Sequence, residues 1–257
     1  MKEFLTINPS LPPPPYGEII LTGVVGQNLQ WMVPPGVSII SVLCVGVGSM
    51  VMSSAGLEGG GGLSYRNNFP VIPGEILLYD IVGAASTLKY NSILRKSNGE
   101  IICQANSGIT KLGGKAAFEF NDGGGNGGSG DYYGGGGGGA GGYTGNGGNG
   151  GFTPSAGQGG GGGGGRSNSN PLIGGTGGGV GLFGQGNNGA PGTSDTTLGR
   201  RGSPGSGGSG VTYGGGSFRY GSGGGNTTGG AGAIRIIWGP EERAFPSTNV
   251  QNSILFE

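Results

Sequence analysis

Between Asn121 and Gly232 nearly half of the residues are glycine, as in DYYGGGGGGAGGYTGNGGNGGFTP from Asp131 to Pro154, and this stretch limits what the whole can fold into. Glycine has no side chain to bury and loses the most backbone entropy on folding, so such a run is by default a flexible linker. About three quarters of the 71 glycines lie in this one region. Order there must come from the main chain, because most apolar residues lie before Asn121 or after Ala231. The remaining side chains are spaced: Ala140, Tyr143, Asn146, Asn149 and Phe152 recur every third position. So do Asn126, Ser129 and Tyr132, and again Ser203, Ser206, Ser209 and Thr212.

Three residues per turn is the repeat of a polyproline II type helix. One row of such a helix carries side chains, and two rows present bare backbone that can approach neighbours and exchange N–H···O=C bonds. Each bond adds about 1 kcal/mol net, so dozens in a close bundle offset the entropy of ordering glycine. The strict Gly-X-Y of collagen is absent. The phase breaks at DYY, RSNSNPLI and APGTSDTTLGRRG, which predicts short rods joined by turns. Ala140 to Phe152 reads as one rod, with Tyr143 and Phe152 stapling it to its neighbours, and Asp131 to Tyr133 reads as a tip.

On either side the text is β-like. EIILTGVV, LQWMV, SIISVLCVGV, EILLYDIVG, EIICQA and AAFEFN are strand candidates, separated by PPG at Pro34 to Gly36 and PG at Pro73–Gly74, which are turn signals. No sustained 3.6-residue apolar period appears. After the glycine region, GAIRIIWG alternates, with Ile234, Ile236 and Trp238 on one face and Arg235 and Ile237 on the other. A strand so apolar needs a sheet, and the only sheet available precedes Asn121. The expected fold is therefore mainly β, with almost no α-helix. It comprises a small β-sandwich-like framework of N-terminal strands plus a returning strand at 232–239, and an inserted bundle of polyglycine II helices. The expected divisions are a Pro-rich arm and attachment segment (1–28), the framework (29–120), the glycine bundle with recognition loops (121–231), and the closing strand with a tail (232–257).

Thirteen basic and thirteen acidic residues cancel, and no basic cluster exceeds Arg200–Arg201, so the charge that nucleic-acid binding requires is missing. There is no histidine, the commonest general base and metal ligand. G-x-G-x-x-G recurs by composition alone, without the strand and helix of a dinucleotide site, and GKAA at Gly114 to Ala117 lacks the Ser/Thr of a phosphate loop. Glu58, Asp131 and Asp195 are carboxylates isolated in sequence, which suit a surface better than the alternative, a glycosidase pair brought together by the fold. The expectation is a non-enzyme with no cofactor and no metal. Cys44 reads as a buried free thiol, with a disulfide to Cys103 as the alternative. The N-terminus has no apolar signal core, and Val37 to Met52 is shorter than the ~20 residues that cross a bilayer, so it reads as a buried strand and not as a membrane insertion.

What remains is a binding-surface signature. Asp131, Tyr132, Tyr133, Arg166, Asn168, Asn170, Thr196, Arg200, Arg201, Tyr213, Phe218, Arg219 and Tyr220 interrupt the glycine text as turn-forming tips would. Tyr, Ser, Gly and Asn dominate recognition loops because they join rigid amphipathic contact to adaptable hydrogen bonding.

WMVPPGVSIISVLCVGVG, GGGGLSYRNNFPVIPGE and the closing GGAGAIRIIWG with RAFPSTNV resemble the glycine-rich domain of bacteriophage tail proteins. The glycine text with its RIIWG…FPST ending is similar to the host-recognition adhesins at the tips of T-even-type long tail fibres. The resemblance covers roughly Leu29 to Val250. It implies a virion tail protein, acting extracellularly, whose variable tips bind an outer-membrane protein or a surface glycan while other parts contact tail-fibre or virion subunits. Residues 1–28 do not resemble the Trp-bearing docking domain of those adhesins. The alternative is a structural subunit of an extracellular or virion filament, self-associating through its N-terminal arm and C-terminal tail. A flat ice- or carbohydrate-binding glycine face ranks below both, since the in-phase residues are not uniformly Thr or Ser.

Overall fold

Alternation of apolar and polar residues in the short runs before Asn121 leaves each strand with a face to bury, and antiparallel pairing satisfies its main chain. The computed structural model describes residues 16–22, 26–49, 59–81, 91–109, 112–131, 136–165, 174–194, 199, 202–206, 230–239 and 243–247. Its strands are β1 (Gly17–Leu21), β2 (Gly26–Met32), β3 (Ile39–Val45), β4 (Leu63–Pro70), β5 (Ile76–Ile81), β6 (Ser92–Lys96), β7 (Ile101–Ala105), β8 (Gly123–Gly125) and β9 (Ala233–Trp238). They form a five-stranded sheet in the order β1-β9-β3-β4-β8 and a four-stranded sheet in the order β2-β5-β6-β7, every ladder antiparallel. No α-helix occurs among the described residues. β1 and the start of β2 come from residues that the sequence groups with the arm.

The two proline–glycine signals form the corners between sheets. Val37 N–H donates to Pro34 C=O (3.1 Å) and Glu75 N–H to Ile72 C=O (3.0 Å), with Gly36 at φ 79° and Gly74 at φ 83°. Proline followed by a positive-φ glycine is the type II turn pattern. The returning strand is central: β9 lies between β1 and β3, with Ile236 opposite both Ile19 and Val42.

Alternation along β3 and β9 feeds two cores. Ile40, Val42, Cys44, Ile234 and Ile236 face the four-stranded sheet and pack with Trp31, Leu77, Leu94 and Ile102. Leu43, Val45, Ala233 and Ile237 face the other way, onto Ala140, Tyr143, Val180 and Leu182 of the glycine region. Arg235 shares this second face, as its register demands. It is fully buried, donates to Leu182 C=O (2.8 Å) and pairs with Glu18 of β1, which also pairs with Arg243 (3.1 Å).

The glycine-rich segments lie side by side and are joined by main-chain hydrogen bonds. One relay runs Gly60→Gly128 (2.9 Å), Gly128→Gly139 (2.8 Å), Gly139→Gly148 (2.8 Å) and Gly148→Gly161 (2.8 Å), donor first. It continues Gly161→Ala140 (3.0 Å), Ala140→Gly178 (2.9 Å), Gly178→Gly162 (2.8 Å) and Gly162→Ser203 (3.0 Å). The approach is too close for side chains: a Cβ on Gly161 would overlap the carbonyl of Gly178, and one on Gly139 that of Gly161. In-phase polar side chains lock neighbouring segments in register. Asn146 Oδ1 accepts from Asn126 N–H (2.9 Å), Asn149 Oδ1 from Ser129 N–H (2.8 Å), and Ser203 Oγ from Ala190 N–H (2.7 Å).

Several expectations are corrected. Ala140 to Phe152 is not one rod: Gly142 N–H donates to Gly145 C=O (2.8 Å), and the chain turns there into two antiparallel segments. Tyr143 does staple, buried in the second core with its hydroxyl donating to Gly181 C=O (3.0 Å) and accepting from Gly184 N–H (3.2 Å). Burial pushes its hydroxyl pKa well above the tyrosine range, so it stays protonated. Tyr143→Phe is expected to cost about 1–2 kcal/mol in equilibrium unfolding, because two buried main-chain groups lose their partner. Phe152 is not a staple among the described residues: it is 59% exposed and belongs to neither core. AAFEFN is not a strand. Ala116 makes a single bridge to Ala105, then Phe118–Phe120 forms a 3-10 turn that moves the chain from the four-stranded to the five-stranded sheet. Cys44 and Cys103 are free buried thiols, so the disulfide alternative is not formed; burial, then Cys103 itself, pushes the Cys44 thiol well above its ordinary range.

Candidate recognition surface

The glycine segments end near the breaks in the three-residue phase, so the candidate site is built from the described residues that close each segment. Asp131 N–H donates to Gly136 C=O (3.3 Å), so the segments on either side of 132–135 are neighbours. Gly175 N–H donates to Gly165 C=O (2.8 Å), which does the same for 166–173. Ser194 Oγ donates to the carbonyls of Gly151 (3.1 Å) and Phe152 (2.7 Å), and Gly199 packs against Gly165 and Gly175.

These three pairs of flanks also touch one another. Gly137 N–H reaches Gly175 C=O (2.9 Å), Gly151 N–H reaches Gly164 C=O (3.0 Å), and the Asp131 carboxylate lies beside Gly151. One end of the glycine layer therefore gathers the flanks of 132–135, 166–173 and 195–198, the last followed at once by Arg200 and Arg201. The flanks of 207–229 lie elsewhere. Ser206 closes its segment at the opposite end, bonded to Gly159 and Asn187, and Gly230 C=O accepts from Gly48 N–H (2.9 Å) just ahead of β9.

Of the residues expected to recognise a partner, Asp131 is described; it is half-buried at the gathering point. Tyr132, Tyr133, Arg166, Asn168, Asn170, Thr196, Arg200, Arg201, Tyr213, Phe218, Arg219 and Tyr220 lie outside the described residues, as do the arm at 1–15 and the tail at 248–257. Phe152 and Ser194 are additions at the same end. The three-residue phase hides Phe152, because the count runs on through the turn at Gly142–Gly145 as if no reversal occurred. Among the described residues no three His, Cys, Asp or Glu side chains group as metal ligands would, and no helix is long and apolar enough to cross a membrane. Comparison of the chain with protein-family models and with curated proteins returns no match.

Proposed function

We propose that the chain is a non-enzymatic recognition protein of a phage tail, whose glycine segments are polyglycine II helices and whose tips bind a bacterial outer-membrane protein or surface glycan. The observation that carries this reading is the meeting of three pairs of tip flanks at one end of a layer held by main-chain hydrogen bonds. Among the described residues the segments are joined main chain to main chain, so the bonds that hold the layer do not call on the side chains of the tips. That separation of scaffold from tip suits a surface that must change partner without refolding. The relay of close glycine contacts and the three-residue phase support the polyglycine II geometry.

The test is adsorption of labelled full-length protein to a panel of Gram-negative cells. Serine at Tyr132, Tyr133, Arg200 and Arg201 together is expected to weaken binding at least about tenfold, since aromatic and arginine anchors carry most interface energy, with an unchanged melting temperature. Equal binding by the folded variant removes these residues from the site. Among the described residues β1 is an edge strand paired with β9, and an edge strand suits strand addition by a second copy, which favours the filament reading. Loss of large assemblies on truncation before Tyr16, with no cell binding by the parent, decides for the filament.

A further inference from the structure

Away from the tips, the flank of the glycine layer that faces residues 106–109 and 112–115 holds a concavity of about 480 Å³. Asn126, Asn146 and Asn149 line it. Each directs its side-chain oxygen at a main-chain N–H, that of Ala116 (2.9 Å), Asn126 (2.9 Å) and Ser129 (2.8 Å) respectively. Only the oxygen can accept, which fixes the amide orientation and leaves each Nδ2 group without a partner among the described residues. The carbonyls of the same three residues are already taken by the N–H groups of Gly147, Gln158 and Ser155. The lining thus presents donors and few free acceptors.

Two further features narrow the ligand. Lys115 is exposed in the wall, the lining contains no Asp or Glu, and no carboxylate pairs with Lys115 among the described residues. At the rim, Ile109 and Leu112 are tied by reciprocal main-chain bonds (3.0 and 2.9 Å) and expose 57% and 58% of their surface. We propose that this groove is a binding site for an acidic oligosaccharide. Sugar hydroxyl and acetamido oxygens accept from the asparagine Nδ2 groups, a sugar carboxylate meets Lys115, and the C–H face or acetyl methyl covers Ile109 and Leu112. An extended peptide suits the groove less well, because its own N–H groups require acceptors that the lining has already committed. Lys115 is the one cation among the described lining residues, too few for a nucleic-acid backbone.

This site does not depend on the tip reading, and its test is separate from cell adsorption. Full-length protein is titrated by calorimetry with a short oligosialic acid, and with a neutral chito-oligosaccharide for comparison. The acidic probe is expected to bind more tightly. Lys115→Gln, at an exposed position that leaves the fold intact, is expected to weaken it about tenfold and remove the preference. Asn149→Asp keeps the acceptor for Ser129 N–H but replaces the outward donor with a charged acceptor, and is expected to abolish binding at an unchanged melting temperature. No binding of the acidic probe, unaltered affinity in both variants, or preferential binding of an acidic peptide of equal charge overturns the proposal.

Discussion

Alanine at Gly139 is expected to destabilise the protein by about 3 kcal/mol or more, a large share of the ~5–15 kcal/mol that holds a typical domain together. Elsewhere Gly→Ala often stabilises by ~0.4–1 kcal/mol by restricting the unfolded chain. Here the new methyl would occupy the position of the Gly161 carbonyl, and the backbone on that side cannot rotate away as a side chain would. Displacing the segment costs about 1–3 kcal/mol of overpacking. It also strains the bonds that Gly139 makes to Gly148 C=O and accepts from Gly128 N–H, each worth about 1 kcal/mol. The neighbour shows that position decides: the Ala140 methyl is accommodated because it enters the cluster of Tyr143, Val180 and Leu182. Gly26→Ala serves as the control, since the nearest atoms to its new methyl belong to the flexible Leu29 side chain. Thermal unfolding is expected to show a fall of roughly 10 °C for Gly139→Ala and little change for the control. Equal melting of the two would mean that close backbone approach does not hold the layer together.

The parts of this fold that announce themselves in sequence are those decided by local chemistry. Pro34-Pro35-Gly36 and Pro73-Gly74 turn as their residue types require, and the alternation of Ala233–Trp238 sends Ile234 and Ile236 to one core and Ile237 to the other. The parts that stay hidden depend on a partner strand. β4, LSYRNNFP, does not read as a strand because an extra residue is accommodated between Arg66 and Phe69, where Asn68 takes φ 51° and the alternation slips. β8 is three glycines and has no side-chain pattern; it is a strand only because Leu63–Tyr65 lies beside it. The site divides the same way. A break in triplet phase marks where a segment ends, and Asp131 and Ser194 lie at such breaks. Which ends meet follows from long-range pairing of identical glycines, and nothing in a glycine distinguishes one neighbour from another. The asparagines Asn126, Asn146 and Asn149 supply the missing information. Two of their bonds join residues twenty apart, and these set the register of one bare segment on the next.

Glutamine at Glu18 is expected to cost about 3–5 kcal/mol, the range for breaking a buried ion pair while its partner charge stays in place. Arg235 has no exposed surface, and its only carboxylate contact among the described residues is Glu18; the Phe183 ring centroid lies 4.8 Å from its guanidinium. The same Glu18 oxygen faces Arg243, so its loss leaves two cations side by side. Burial, joined by repulsion from Arg235, already pulls the Arg243 pKa below its usual value, while Glu18 opposes the shift. Arg235→Met is expected to cost less, because Glu18 keeps Arg243 and the methionine fills apolar space without a charge to solvate. The double variant is expected to recover part of the Glu18→Gln loss, and a double-mutant cycle in urea measures that coupling. Arg235 also holds the Leu182 carbonyl, which lies in the glycine region 53 residues before it in sequence, so these variants loosen the layer from its sheet as well as weakening the sheet. Limited proteolysis should therefore cut between residues 174 and 194 faster in Glu18→Gln than in the parent under native conditions. If Arg235→Met proves the more damaging single change, the arginine acts through its hydrogen bond to Leu182 and not through its charge, and the ion pair is incidental to how the two halves of the molecule are joined.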